Sequence, residues 1–429
     1  LIFIHLLVDF QPPSGYIQAM IQRLIFSHVR AALADSPVVL LHGARQTGKS
    51  TLVQHLAAIG WPARYLTLDD ANVLTAATTD PAGFLAGLDG PVALDEIQRA
   101  PGLFIALKAQ VDRNRQPGRY LLTGSANVLM LPKLSESLAG RMEILPLWPL
   151  AQSELSAAPT CFVDELFAPQ IRSTAAVAET DGDVAALLLH GGYPEAQRRP
   201  VWSRRRAWFN AYVTTILQRD VRNLASIDGL TVLPRLLALL AARTGALMNH
   251  AELARSTGLP QTTLKRYLAL LEATFLVVLL PPWSGNLGKR LVKSPKVYLN
   301  DTGLSAALLG MDSAPALRQA NLYGPLLENY VVMELRKQAS WSQTEPALFH
   351  FRTQNGSEVD IVLESPAGAL VGLEVKASST VTASDFNGLR ILAEETGPRF
   401  HRGIVLYQGS EVIPFGPKLL AVPITRLWQ

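Results

Sequence analysis

The run Gly43-Ala44-Arg45-Gln46-Thr47-Gly48-Lys49-Ser50 carries the spacing G-x-x-x-x-G-K-[ST], followed by Thr51. Glycines at these positions let successive backbone N–H groups turn inward around an anion, and a helix starting at the end of the run adds its positive pole. A lysine there reaches terminal phosphates and a hydroxyl ligates magnesium, so the pattern predicts a phosphate cradle for ATP with Mg2+. Lys49 is expected on the β- and γ-phosphates, Ser50 on the metal, and the backbone from Gly43 to Thr51 around the phosphate chain.

Such a loop needs a second metal anchor at the end of a buried strand. Val92-Ala93-Leu94-Asp95-Glu96 supplies an apolar strand ending in two carboxylates. Asp95 is the candidate magnesium anchor and Glu96 the candidate general base on the attacking water; a pair of helix-capping acids is the structural alternative. Thr123-Gly124-Ser125 places two hydroxyls where either could sense a γ-phosphate or simply cap a helix. Arg141 is placed to be an arginine sensor, a finger offered to a neighbour, or a surface ion pair.

A second set of chemistry-bearing residues lies near the end of the chain. Glu358 to Glu364 and Val371 to Lys376 alternate with period two. A hairpin symmetric about Ala367 would set Asp360 opposite Glu374 and Glu358 opposite Lys376, with Val359, Ile361, Leu363, Val371, Leu373 and Val375 on the apolar face. Facing carboxylates repel unless a cation lies between them, which suggests magnesium there, able to activate water for phosphodiester attack with Lys376 stabilising the developing charge. A solvated face with a Glu358–Lys376 salt bridge would also tolerate these residues.

The elements that must position these residues follow from periodicity. Short apolar strands at Val38 to His42, Arg64 to Leu68, Pro91 to Leu94 and Arg119 to Leu122 alternate with helical stretches, and Met142 to Leu147 can supply a fifth. This alternation predicts an α/β core with a parallel sheet covered on both faces. From Ser153 to about Leu240 the pattern is helical, broken at Gly191-Gly192-Tyr193-Pro194. His250 to Thr257, Gly258 and Gln261 to Glu272 have helix-turn-helix spacing, with Leu253, Leu264, Leu268 and Leu271 available for a core. Phe275 to Leu280 and Lys296 to Leu299 could pair as a wing. Gln261, Thr262, Lys265 and Arg266 would face a DNA groove, and Lys289, Arg290 and Lys293 would meet phosphate; a protein-docking or structural role fits the same fold. From about Tyr323 the chain reads as one long helix and a hairpin.

Composition bounds the rest. A chain of 429 residues predicts about three domains of roughly 150 residues. Hydrophobic residues make up 48% and charged ones 17%, which is globular rather than disordered. A net charge of +4 permits an anionic partner without identifying one. One cysteine, Cys161, excludes an internal disulfide and a cysteine zinc cluster and fits a reducing cytoplasm. No apolar run approaches the roughly 18 residues a membrane helix needs, so no membrane partner is expected. Residues 1–19 lack a basic leader and a small-residue cleavage site and read as an upstream extension before Met20.

Gly43 to Lys49, Leu94-Asp95-Glu96-Ile97-Gln98, Leu122-Thr123-Gly124-Ser125 and Leu138-Ala139-Gly140-Arg141 together resemble the prokaryotic AAA-type P-loop ATPase family with a C-terminal domain of unknown function. The resemblance continues through Gly191-Gly192-Tyr193-Pro194-Glu195, Arg219-Asp220-Val221, and Pro295-Lys296-Val297-Tyr298 with Asp301. It implies an AAA-type core at about 20–155, a helical connector or lid at 156–240, a winged helix at 241–300 and a nuclease-like α/β domain at 301–429. The carboxylates resemble the D…E-x-K centre of restriction-endonuclease-like enzymes, with Glu328 matching their preceding-helix acid beside Asp360, Glu374 and Lys376. The expected function is ATP hydrolysis governing DNA engagement, with a homo-oligomer or a protein partner allowed for; the alternative is a nucleotide-gated switch for a protein partner with a silent nuclease-like domain.

Overall fold

The computed structural model describes residues 21–125, 140–157, 160–171, 183–221, 231–285 and 294–429. The expected extension at 1–19, the basic residues Lys289, Arg290 and Lys293, and Leu138-Ala139 lie outside the described residues.

The chain opens with helix α1 (Phe26–Asp35), strand β1 (Val38–His42), helix α2 (Lys49–Ile59), β2 (Arg64–Thr67), β3 (Val92–Asp95), α3 (Leu103–Arg113), β4 (Tyr120–Gly124) and β5 (Met142–Pro146). All five strands are parallel in the order β2-β3-β4-β1-β5. The inner strands β1, β3 and β4 are buried throughout, as near-continuous apolar runs covered on both faces must be. β1 lies between β4 and the edge strand β5, and the loop that follows it emerges at the sheet's C-terminal edge, where open α/β sheets place their ligands.

The middle is helical. Val184–His190 leads through Gly191-Gly192 into α4 (Trp202–Thr215), which runs on as a π-helical turn over Ile216–Val221. α5 (Leu233–Ala242), α6 (His250–Thr257) and α7 (Gln261–Ala273) follow. Asn249 caps α6 through its side chain onto the Glu252 N–H, and Gly258 ends it in the left-handed conformation that glycine adopts without strain. Leu253, Leu264, Leu268 and Leu271 are all buried, as the spacing predicts. Phe275 has φ +58, which ends α7 in a tight turn and delays β6 (Val277–Leu280) by two residues relative to the sequence expectation. β6 pairs antiparallel with β7 (Lys296–Leu299), the two strands expected to pair.

Asp301 then caps α8 (Thr302–Leu309), and α9 (Tyr323–Ala339) packs beneath a six-stranded mixed sheet. Its strands are β8 (Ala347–Arg352), β9 (Glu358–Glu364), β10 (Leu370–Val375), β11 (Phe400–Tyr407), β12 (Ile413–Gly416) and β13 (Leu419–Pro423), with α10 (Asn387–Thr396) crossing between β10 and β11. The order is β12-β13-β11-β10-β9-β8. The expected hairpin is therefore the inner part of a larger sheet. Ile361, Leu363, Val371 and Leu373 face α9, while Val362, Leu370 and Val405 face α10, so both faces are core and the expected charged face is not there. No helix among the described residues is long and apolar enough to cross a membrane.

Candidate functional site: a P-loop cleft and a carboxylate centre

The P-loop joins β1 to α2, and its geometry demands the residues found there. A Cβ on Gly43 would lie 2.1 Å from the Leu147 carbonyl oxygen, so only glycine allows this approach. Gly48, at φ +92, turns the chain into α2, and Gln46 also sits at positive φ. Lys49 is buried, its Nζ donating to the carbonyls of Gly43 (2.9 Å) and Ala44 (2.7 Å). Burial pulls its amine down to about 8, partly offset by Glu96 and Asp95. His42, just before the loop, is pushed down to about 4 by burial and by Lys49, so it is a neutral ring there.

Asp95 is the hub of the site. Its Oδ2 accepts from Ser50 Oγ (2.9 Å) and from Tyr65 OH (2.6 Å), and its Oδ1 from Thr123 Oγ1. Ser50 and Asp95 thus set two oxygen donors side by side, a pair that could hold a magnesium ion. Glu96 follows at φ +60, an uncommon conformation for a side chain of this size and one that collects at functional positions. Its N–H donates to Thr123 Oγ1 (3.2 Å), and its Oε2 accepts from Ser125 Oγ (2.9 Å) and Gln98 Nε2. Thr123 and Ser125 therefore hold the two carboxylates.

Two clefts flank the loop. One, of about 410 Å3, is lined by Arg45, Lys49, Ser50 and Glu96 on one side and by Trp208, Tyr212 and Thr215 of α4 on the other. The second, of about 790 Å3, is more apolar and runs from Thr47, Gly48 and Thr51 past Ile21, Phe26 and His55 to Pro194 and Gln197. Arg45 Nε lies 2.6 Å from Asp220 Oδ2 in the π-helical turn, and burial raises the Asp220 carboxyl despite that partner.

Arg141 is not brought to this cleft. It immediately precedes Met142, which pairs with Val38 at the start of β1, so it sits at the opposite edge of the parallel sheet from Gly43 and binds Asp112. Sequence reasoning missed several residues that shape the loop. Arg23 donates to the Thr47 carbonyl (2.6 Å), the Trp148 carbonyl (2.8 Å) and Glu154 Oε1 (3.0 Å), a buried strut whose loss of one partner costs about 3–5 kcal/mol. Tyr65 and Tyr212 are the others. Only Gln98 and Asp220 lay in stretches that the family resemblance marks.

The carboxylate centre joins four elements. The hairpin register runs from Leu370↔Glu364 to Leu373↔Ile361, which matches symmetry about Ala367. Beyond Ile361 the ladder breaks. The β8–β9 register shifts between Phe349 and Phe351, a bulge that turns Val359 away from Ile361, and Asp360 Oδ2 accepts from the Val375 N–H at 3.0 Å. Burial, with Asp360 as its neighbour, pushes the Glu374 carboxyl up to about 10. Glu358 does not face Lys376. β10 ends at Val375, and Lys376 turns toward β11 through its N–H to the Leu406 carbonyl, leaving its Nζ 3.8 Å from both Glu374 and Asp385.

Where the sequence suggests magnesium, Lys296 of β7 enters. Its Nζ lies 2.6 Å from Glu358, 2.9 Å from Glu328 and 3.2 Å from Asp360, while Tyr298, two residues on, donates to Glu328 at 2.6 Å. Burial alone would lower this amine, yet Asp360, Glu328 and Glu358 hold it well above its ordinary value. Among the described residues no group of three or more His, Cys, Asp or Glu side chains is spaced to hold a metal ion. As placed, Glu328, Asp360 and Glu374 do not fit magnesium.

The parallel sheet, the P-loop and the paired acids at the end of β3 define an AAA-type P-loop ATPase domain. The family model described as AAA domain matches residues 35–156, and two domains of unknown function, DUF8612 and DUF4143, match 181–314 and 323–427. The chain belongs to the family of such three-part proteins that includes the uncharacterized protein Rv2008c of Mycobacterium tuberculosis, 34% identical over 422 residues, covering 98% of this chain and 88% of that protein. The uncharacterized protein Mb2031c of Mycobacterium bovis matches over the same span at the same identity. Among solved structures, the Walker-type ATPase PABY2304 of Pyrococcus abyssi is similar at 15% identity and a TM-score of 0.42, covering 70% of this chain and 99% of that one.

Proposed function

We propose that the chain binds MgATP at Gly43 to Thr51 and hydrolyses it, and that nucleotide state governs how its winged helix engages DNA. Lys49 withdraws from the loop carbonyls to meet the β- and γ-phosphates, Ser50 and Asp95 hold the magnesium, and Glu96, oriented by Ser125 and Gln98, takes the proton from the attacking water. The base occupies the apolar cleft beside Phe26, His55 and Pro194.

The observation that carries the coupling is Ala44. This P-loop residue is fully buried in the same apolar cluster as Leu264, Leu271, Leu276 and Val297 of the winged helix, and the Phe275 ring stands edge-on to His42 at 5.2 Å. A phosphate-driven shift in the loop therefore meets the winged helix directly. On α7, Gln261, Thr262, Lys265 and Arg266 are all exposed, which is the disposition a groove-reading helix needs.

A second reading, a nucleotide-gated switch for a protein partner, is favoured by Lys296, whose position leaves the C-terminal centre without room for nuclease chemistry. ATP turnover measured with and without duplex DNA separates the two. DNA-stimulated turnover that declines steeply with salt supports the first, because phosphate contacts release counterions. Turnover indifferent to DNA at low salt contradicts it.

A further inference from the structure

Apart from the ATP cleft, the densest cluster of ionisable side chains is the C-terminal centre, and its composition is unusual for a metal site. Glu328 comes from α9, Glu358 and Asp360 from β9, and Glu374 from β10. The cations that face them are Lys296, Arg352, 3.2 Å from Glu358, and Lys376. Three fixed positive charges from three segments already stand among these carboxylates, and Lys376 also reaches Asp385. Lys296 is nearly sealed from solvent, and its ammonium touches three carboxylates at once, as a small hard cation would.

The lysine belongs to the wing strand, not to the sheet that supplies the acids. Its strand is also tied at the other end. Asn300, the next residue after β7, donates to Tyr193 OH (2.9 Å), Tyr193 and Tyr212 share a hydrogen bond at 3.0 Å, and Tyr212 OH donates to the Arg45 carbonyl of the P-loop (3.3 Å).

We propose that Lys296 is a tethered cation occupying the Glu328–Glu358–Asp360 centre, so that the centre is closed to divalent metal while β7 is seated and becomes a divalent-cation site once the ammonium is removed. Elements that carry opposite charge into one buried point hold each other in place, and the wing is thereby latched to the C-terminal sheet. The inference makes no use of the ATP chemistry, so it and the ATPase proposal fail separately.

The test is Mn2+ binding to the nucleotide-free full chain, followed by the electron paramagnetic resonance of free Mn2+, for wild type, Asp360→Asn, Lys296→Gln and Lys296→Gln with Asp360→Asn. Lys296→Gln is expected to gain one Mn2+ per chain, bound at least about tenfold more tightly than by wild type. Adding Asp360→Asn is expected to abolish the gain. A wild-type site that Asp360→Asn removes, or no gain in Lys296→Gln, overturns the proposal. Should Lys296→Gln fail to fold in metal-free buffer, recovery of folded protein in Mn2+ but not in sodium chloride of equal ionic strength supports it, and recovery in neither overturns it.

Discussion

The ATP cleft is built from side chains whose roles depend on charge state, and Lys49 is the clearest case. Its amine, held near 8 in the free protein, is charged at neutral pH and largely neutral well above 8. Triphosphate oxygens restore its preference for the charged form, so binding takes up a proton where the free protein has lost one. Calorimetry in buffers of different ionisation enthalpy is expected to find little uptake from Lys49 at about pH 7 and an uptake approaching about one proton near pH 9. Equal uptake at both pH values would contradict the placement of Lys49. Most of this cleft was legible because the P-loop motif encodes its own backbone path, and the acids at Asp95 and Glu96 follow an apolar strand. Arg23, Glu154 and Tyr65 were not legible. Arg23 and Glu154 meet only because the segment after β5 returns beside the loop, 131 residues away in sequence, and no local pattern records that.

At the scale of elements, alternation and turn residues indicated the parallel sheet, the helix-turn-helix and the inner hairpin, because each is decided by neighbours close in sequence. The remaining strands of the C-terminal sheet escaped. β11 joins β10 in parallel through α10, and β13 joins β11 in parallel, pairings that depend on long connections rather than on local alternation. The bulge at Asp360 escaped for the same reason, since it exists only against β8. Phe275 is the element-level hinge pin. Its backbone is in the left-handed region, and its ring contacts both His42 and Trp148, fixing the turn between α7 and β6 on the end of β1. Phe275→Ala is expected to cost about 3–5 kcal/mol in urea unfolding, the range for removing a buried aromatic. It should weaken ATP binding as well, and an unchanged unfolding midpoint would remove Phe275 from this role.

At the scale of the whole molecule, the three matched segments meet around Gly192. Its N–H donates to Asp301 Oδ2 (2.6 Å) and its carbonyl accepts from the Leu150 N–H (2.7 Å), while the Leu150 carbonyl accepts from Lys337 Nζ (3.0 Å). A Cβ on Gly192 would lie 2.3 Å from the Leu150 oxygen, so the junction needs glycine. Together with Ala44 and Lys296, this junction ties the ATPase core, the helical middle and the C-terminal sheet to one another. Glu96→Gln provides the direct test, because it is expected to bind ATP while turnover falls by about 10²-fold or more, trapping the ATP state. Duplex DNA affinity of this variant, measured at one fixed low salt concentration with ATP, with ADP and without nucleotide, is expected to differ between states by at least about fivefold. The same affinity in all three states would contradict the account.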